Sequence, residues 1–122
     1  MEFAGLKLKN PFVIASGPVT SSLRKLKECE ANGAGGVSVK LTLKKQPWAA
    51  QLRMYSVPDE VSIVCHDRRL EEGEGVDLIR QARENTDLTV FANMGHAGED
   101  IEGWQELASD LANAGAHALE LN

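Results

Sequence analysis

The chain has 122 residues, 43% hydrophobic and 25% charged, which is enough for one compact domain and matches the composition of an ordinary globular protein rather than a disordered one. A formal net charge of −5 argues against a nucleic-acid surface, and no stretch approaches the roughly 20 apolar residues of a membrane span. Cys29 and Cys65 stand alone without a CxxC, which excludes a disulfide framework and a cysteine zinc site. The start MEFAGLKLKN has neither a basic leader nor an apolar block, so a cytoplasmic location is expected.

Residues 11–16, PFVIAS, form an apolar run opened by Pro11 and left through Gly17-Pro18, which predicts a buried strand. Thr20, Ser21 and Ser22 offer hydroxyls for a helix start, and Leu23, Leu26 and Cys29 follow at helical spacing until Asn32-Gly33. GVSVKL at 36–41 predicts the second strand. Residues 43–73, with Pro47, Pro58 and Gly73 in a polar mixture, are expected to form a long irregular excursion holding a short strand at 61–65, VSIVC. Excursions of that length within a compact domain are commonly functional. Val76, Ile79 and Ala82 then predict a helix, and LTVFAN at 88–93 a strand. Ile101, Trp104, Leu107, Ala108 and Leu111 predict a long amphipathic helix before the last strand, ALELN.

Strand and helix alternate, which implies a parallel sheet with right-handed crossovers. Ser16, Lys40, Asn93 and Asn122 are each expected to close a strand, on the side of a parallel α/β fold where ligands bind. GAGGVSVK at 33–40 and GAHALELN at 115–122 share one layout, with Lys40 and Asn122 in the same place. Parity puts Val37 and Val39 on one face and Ser38 and Lys40 on the other; likewise Leu119 and Leu121 oppose Ala118, Glu120 and Asn122. This alternation suits helices on one side and a partly polar interior on the other. A lone strand-end lysine is ordinarily a solvated rim charge. Ringed by amides and a hydroxyl, Lys40 suits an anionic or electron-rich planar ligand. Spacing alone thus supports half of a βα barrel, four parallel strands with helices on the outer face, presenting a polar ligand face.

LKLKNPFVIASGPVTSS, EANGAGGVSVKLTL and ANAGAHALELN resemble the amino-terminal half of the FMN-dependent dihydroorotate dehydrogenases and the related pyrimidine-reducing domain of dihydropyrimidine dehydrogenase. The resemblance implies a (βα)8 TIM barrel holding FMN at the carboxyl ends of its strands, with residues 1–122 as a single partial barrel domain. It implies that Ala15, Ser16 and Gly17 lie against the flavin, that Lys40 favours negative charge on the reduced ring, and that Asn122 contacts flavin or substrate; Asn93 joins this set by position. Glu120, one layer deeper, is either a counter-charge to Lys40 or a structural acid, and the structural role is preferred. In the family a Cys or Ser after the fourth strand is the base, and phosphate loops follow later strands; no residue here matches either, so no catalytic residue is assigned. Leu41 stands where a threonine usually follows the lysine, and VSIVCHDRRLEEG lacks the asparagine-rich substrate loop, only DRRLE being similar to the pyrimidine-reducing relatives.

Other features read structurally. Cys65 and His66 are adjacent on a strand and point to opposite faces, so they do not form a nucleophile pair. The glycines of NMGHAGED fit a turn into a helix, with His96 left near the ligand side, and Trp104 and His117 fit packing positions. The resulting expectation is an oxidoreductase half-barrel acting on a small cyclic amide. The alternatives are a non-catalytic half-barrel that pairs with itself or a complementary half, and a flavin-free barrel for a phosphorylated metabolite. The partners expected are a small-molecule substrate and a second half-barrel or copy, with no nucleic acid and no membrane span.

Overall fold

The computed structural model describes residues 1–45, 52–58, 61–66 and 68–122. A hairpin of β1 (Glu2–Phe3) and β2 (Leu6–Lys7) opens the chain, its turn made by Ala4 and Gly5 with φ of 48° and 76°. Both turn residues at positive φ are what a two-residue hairpin of type I′ requires. β3 (Val13–Ile14) is shorter than the predicted 11–16. Asn10 accounts for the late start: its Oδ1 accepts the Phe12 N–H at 2.9 Å and its Nδ2 donates to the Gly33 carbonyl at 2.8 Å, a side-chain turn that competes with strand pairing.

Helix α1 (Leu23–Ala31) follows a 3-10 turn at Pro18–Thr20. The hydroxyls expected to start the helix close that turn instead. Thr20 Oγ1 exchanges hydrogen bonds with the Gly17 N–H and carbonyl at 3.1 and 3.2 Å, and Ser21 Oγ donates to the Pro18 carbonyl at 2.8 Å. Ser22 holds the N-cap position without a side-chain cap bond.

β4 (Gly36–Leu43) is the longest strand. Within the expected irregular excursion the structure finds regular pairing: β5 (Leu52–Val57) and β6 (Val61–His66) form an antiparallel hairpin, and β7 (Leu70–Glu71) pairs parallel with Thr42 and Leu43 of β4. β6 covers the short strand expected at 61–65, while β5 was not expected; two β-prone runs flank Pro58 and can satisfy each other's backbone. Helix α2 (Glu72–Asn85), β8 (Thr89–Gly95), helix α3 (Ile101–Asn113) and β9 (Ala118–Leu121) complete the alternation.

The main sheet is parallel, in the order β3-β4-β8-β9, with β7 as a short fifth strand beside β4. Val37, Val39, Val90, Ala92 and Met94 share a single core with Leu26 of α1, Leu78, Ile79 and Ala82 of α2, and Leu107 and Leu111 of α3. Burying side chains of this size at about 1.5–3 kcal/mol each is the main force holding helices to sheet. Ser38, Phe91, Asn93 and Glu120 alternate with these residues and therefore face away from the helices. On that second face Phe3 of the hairpin meets Phe91 edge-on, with ring centroids 6.5 Å apart. Among the described residues, no helix is long and apolar enough to cross a membrane.

Candidate functional site

The polar side of the sheet is organised by a bulge. Val39 pairs with Ala92 and Thr42 with Met94, so Lys40 and Leu41 together oppose Asn93. An extra residue bends its strand and re-aims the side chains around it, and bulges recur beside functional sites. After the bulge Thr42 turns to the helix side, where a Cβ on Gly75 of α2 would lie 2.5 Å from its Cγ2. Leu41 and Leu43 turn to the other side, near Gly95. Lys40 and Asn93 thus lie inside their strands rather than closing them as expected: β4 runs three residues past Lys40 and β8 two past Asn93.

Asn93 is the centre of this face. It is 1% exposed, pairs in register with Glu120 and accepts through Oδ1 from Asn122 Nδ2 at 3.4 Å. The Asn122 N–H also donates to the Met94 carbonyl at 2.9 Å, which fixes the backbone that carries this amide. Asn93 Nδ2 is buried without a hydrogen-bond partner. A buried donor left unmatched costs about 1–3 kcal/mol, so such a group takes an acceptor from water or from a ligand.

One layer deeper, buried Ser38 donates to the Glu120 carboxylate at 2.5 Å, linking β4 to β9 over the intervening β8. This is the structural role preferred for Glu120. Ser38 was not singled out from sequence, and the signal was its parity with Lys40 and Glu120. Ala15 is exposed, and Ser16 and Gly17 are half-buried in the loop after β3, beside β4 in the sheet order. The structure therefore brings Lys40, Asn93 and Asn122 to one face and sets Ala15, Ser16 and Gly17 in the loop at its edge.

At the rim beyond β8, His96 Nε2 lies 2.7 Å from Asp100 Oδ2, while Asp100 Oδ1 accepts the Gly103 N–H at 3.0 Å and caps α3. The Gly103 N–H, then His96, hold the Asp100 carboxyl below its ordinary value. Gly103 has to be glycine for this arrangement, because a Cβ there would collide with His96 and lie 2.5 Å from Asp100 Oδ2. Trp104 packs against the core with its Nε1 donating to the Ala97 carbonyl at 3.1 Å, and its ring meets His96 edge-on.

On the helix side, Phe12, Ile14, Val19, Cys29 and Ala34 line a groove of about 570 Å³. Burial, then Glu28, push the Cys29 thiol up, which disfavours the thiolate, and the side chain packs against the core as a small apolar group. Cys65 and His66 are consecutive residues of β6, and their side chains lie outside the described residues. Among the described residues, no group of three or more His, Cys, Asp or Glu is placed to hold a metal ion. Comparison with known protein families finds no family model that matches the chain, and comparison with curated proteins finds no match.

Proposed function

We propose that this chain is the ring-binding half of an FMN-dependent oxidoreductase barrel of the dihydroorotate and dihydropyrimidine dehydrogenase type, acting on a small cyclic amide. The observation that carries the reading is the unpartnered, buried Nδ2 of Asn93, with its Oδ1 already occupied by Asn122 and Lys40 opposite it across the bulge. These groups offer N–H donors and positive charge. The pyrimidine edge of a flavin offers carbonyl and ring-nitrogen acceptors and gathers negative charge when reduced, so donor set and ligand fit. In this reading Lys40, Asn93 and Asn122 hold the ring edge, and the Ala15-Ser16-Gly17 loop lies against the ring. Bound flavin would supply a two-electron acceptor for hydride from the substrate. Lys40 contributes electrostatically, its half-buried ammonium stabilising negative charge on the ring. Ser38 and Glu120 hold the floor beneath.

A titration of the chain with FMN and with riboflavin, followed by flavin fluorescence, tests this. The proposed contacts are all to the ring, so both ligands are expected to bind weakly and alike, and Asn93→Leu to abolish binding. Absence of quenching by either flavin at millimolar protein would sink the reading.

A second reading, a half-barrel that pairs with a copy of itself or a complementary half, is supported by the apolar residues on both edge strands: Val13 of β3 is 40% exposed, and Leu119 and Leu121 of β9 are 38% and 71% exposed. Open edges of this kind seek further strands. Light scattering is expected to show an associated species that Leu121→Lys disperses; a monomer at all concentrations would exclude pairing with itself.

A further inference from the structure

Outside the proposed ligand face, one exposed side chain makes contacts that its neutral form can serve and its protonated form cannot. His117 lies just before β9, at the amino end of the sheet. Its backbone N–H donates to the Val90 carbonyl at 2.9 Å, and its ring Nδ1 accepts the Val90 N–H at 3.0 Å, so a single residue returns both backbone bonds of Val90. The other ring nitrogen, Nε2, lies 2.7 Å from Arg83 Nη1 of α2. Gly115, with φ of 103°, lets the chain pass under the arginine, whose Cγ would sit 3.2 Å from a Cβ there.

Two donors therefore converge on one imidazole. A neutral ring has one acceptor nitrogen and can serve either Val90 or Arg83, whereas an imidazolium has none and serves neither. Protonation would also set a second cation against the guanidinium. We propose that His117 is an acid-sensitive clasp: neutral, it fastens edge strand β9 to β8, and protonated, it releases the strand together with Glu120 and Asn122. Acid would then loosen the ligand face from its far end, whatever ligand that face binds.

The charged surroundings agree. Among the described residues, Arg83 faces the ring from α2 and the Val90 backbone faces it from β8. Glu30, Glu84 and Asp87 share a surface pocket with Arg83, and His117 is not among its lining residues. Burial, then Arg83, push the imidazole below its ordinary value. The sign follows: the attached strand prefers neutral His117, so its stability is complete above the free-histidine value of about 6.5 and declines as pH falls below it.

Amide hydrogen exchange on the full chain tests the clasp without any ligand. After correction for intrinsic rates, protection of the Asn122 amide, which donates to Met94, is expected to hold from pH 8 to 6.5. Below that it should fall with a slope approaching about tenfold per pH unit, the limit for one proton. In His117→Asn, whose side-chain oxygen can accept from Val90 but does not titrate, the slope should vanish. A wild-type slope of zero, or the same slope in His117→Asn, would overturn the proposal. So would an imidazole midpoint at or above 6.5 in the wild-type proton spectrum, a measurement that needs no variant to fold.

Discussion

Ser38 Oγ donates to the Glu120 carboxylate across the width of β8, joining two strands that are not neighbours. Neighbouring strands are about 4.8 Å apart, so the pair spans nearly 10 Å, close to the combined reach of a serine, a glutamate and one hydrogen bond. The bridge is satisfied most easily when the polar face is concave. Ser38→Ala is expected to destabilise the fold by about 1.5–3 kcal/mol, as for loss of a hydrogen bond to a charged group. Glu120→Gln, which keeps an acceptor, should cost less than half of that. Urea denaturation measures both, and equal costs would show that the bridge does not hold β9.

Gly75 and Thr42 bind α2 to the bulged end of β4. Gly75→Ala is expected to cost at least about 2 kcal/mol, because the added methyl meets the threonine side chain where sheet and helix are both fixed. Thr42→Ala in the same chain should recover a large part of the loss, with a coupling energy of about 1 kcal/mol in a double-mutant cycle. Additive costs would mean that the strain is relieved by moving the helix.

Asp100 supplies an acid limb to stability. Its folded value is lowered by the Gly103 N–H first and His96 second, so its contribution is present above the ordinary aspartate value and is lost as pH falls through the lowered one. Chemical denaturation between pH 6 and 2 should show this decline, and Asp100→Asn should flatten it. The variant keeps a side-chain oxygen for the helix cap, so an unchanged slope would assign the acid limb to other carboxylates.

Lys40 separates the flavin reading from an ordinary solvated charge. In a barrel completed by its second half, Lys40→Met is expected to lower the flavin reduction potential and slow its reduction by substrate. One charge contact in a partly desolvated site is worth about 2–4 kcal/mol at an effective dielectric near 20, and about 1.4 kcal/mol is tenfold in rate. Lys40→Arg should rescue poorly, because a planar fork does not replace a compact ammonium. Redox titration and stopped-flow reduction give the answer; unchanged values in Lys40→Met would make Lys40 a rim charge.

Much of the architecture was legible in the chain because periodicity reports burial directly. Leu23, Leu26 and Cys29 marked α1, Val76, Ile79 and Ala82 marked α2, and the alternation around Val37 and Leu119 separated the two faces of the sheet. What escaped were features set by pairing between distant segments. The bulge at Lys40 and Leu41 is invisible in GVSVKL, since one extra residue shows only against the ladder of β8. Of the β5–β6 hairpin only the second strand was expected, at 61–65; the first and its pairing escaped because these strands stabilise each other rather than the core pattern. Thr20, Ser21 and Ser22 were expected to start the helix, but whether a hydroxyl caps a helix or closes the turn before it depends on where Gly17-Pro18 sends the backbone. On the polar face, residue type and strand position brought Lys40, Asn93 and Asn122 to one side of the sheet; the Ser38–Glu120 bridge, the Asn93–Asn122 contact and the orphaned donor of Asn93 emerged only from the assembled packing.

The bulge also determines which changes of chain length β4 can absorb. Removing Leu41 alone would let Lys40 pair squarely with Asn93 while Val39 and Thr42 kept their partners, so a one-residue deletion there shortens the protein without shifting any other side chain to the wrong face. The same deletion at Ser38 or Val39 would invert everything between it and the bulge. The Lys40-Leu41 pair thus holds the spare link in the strand, and related sequences of unequal length should differ there before they differ anywhere else along β4.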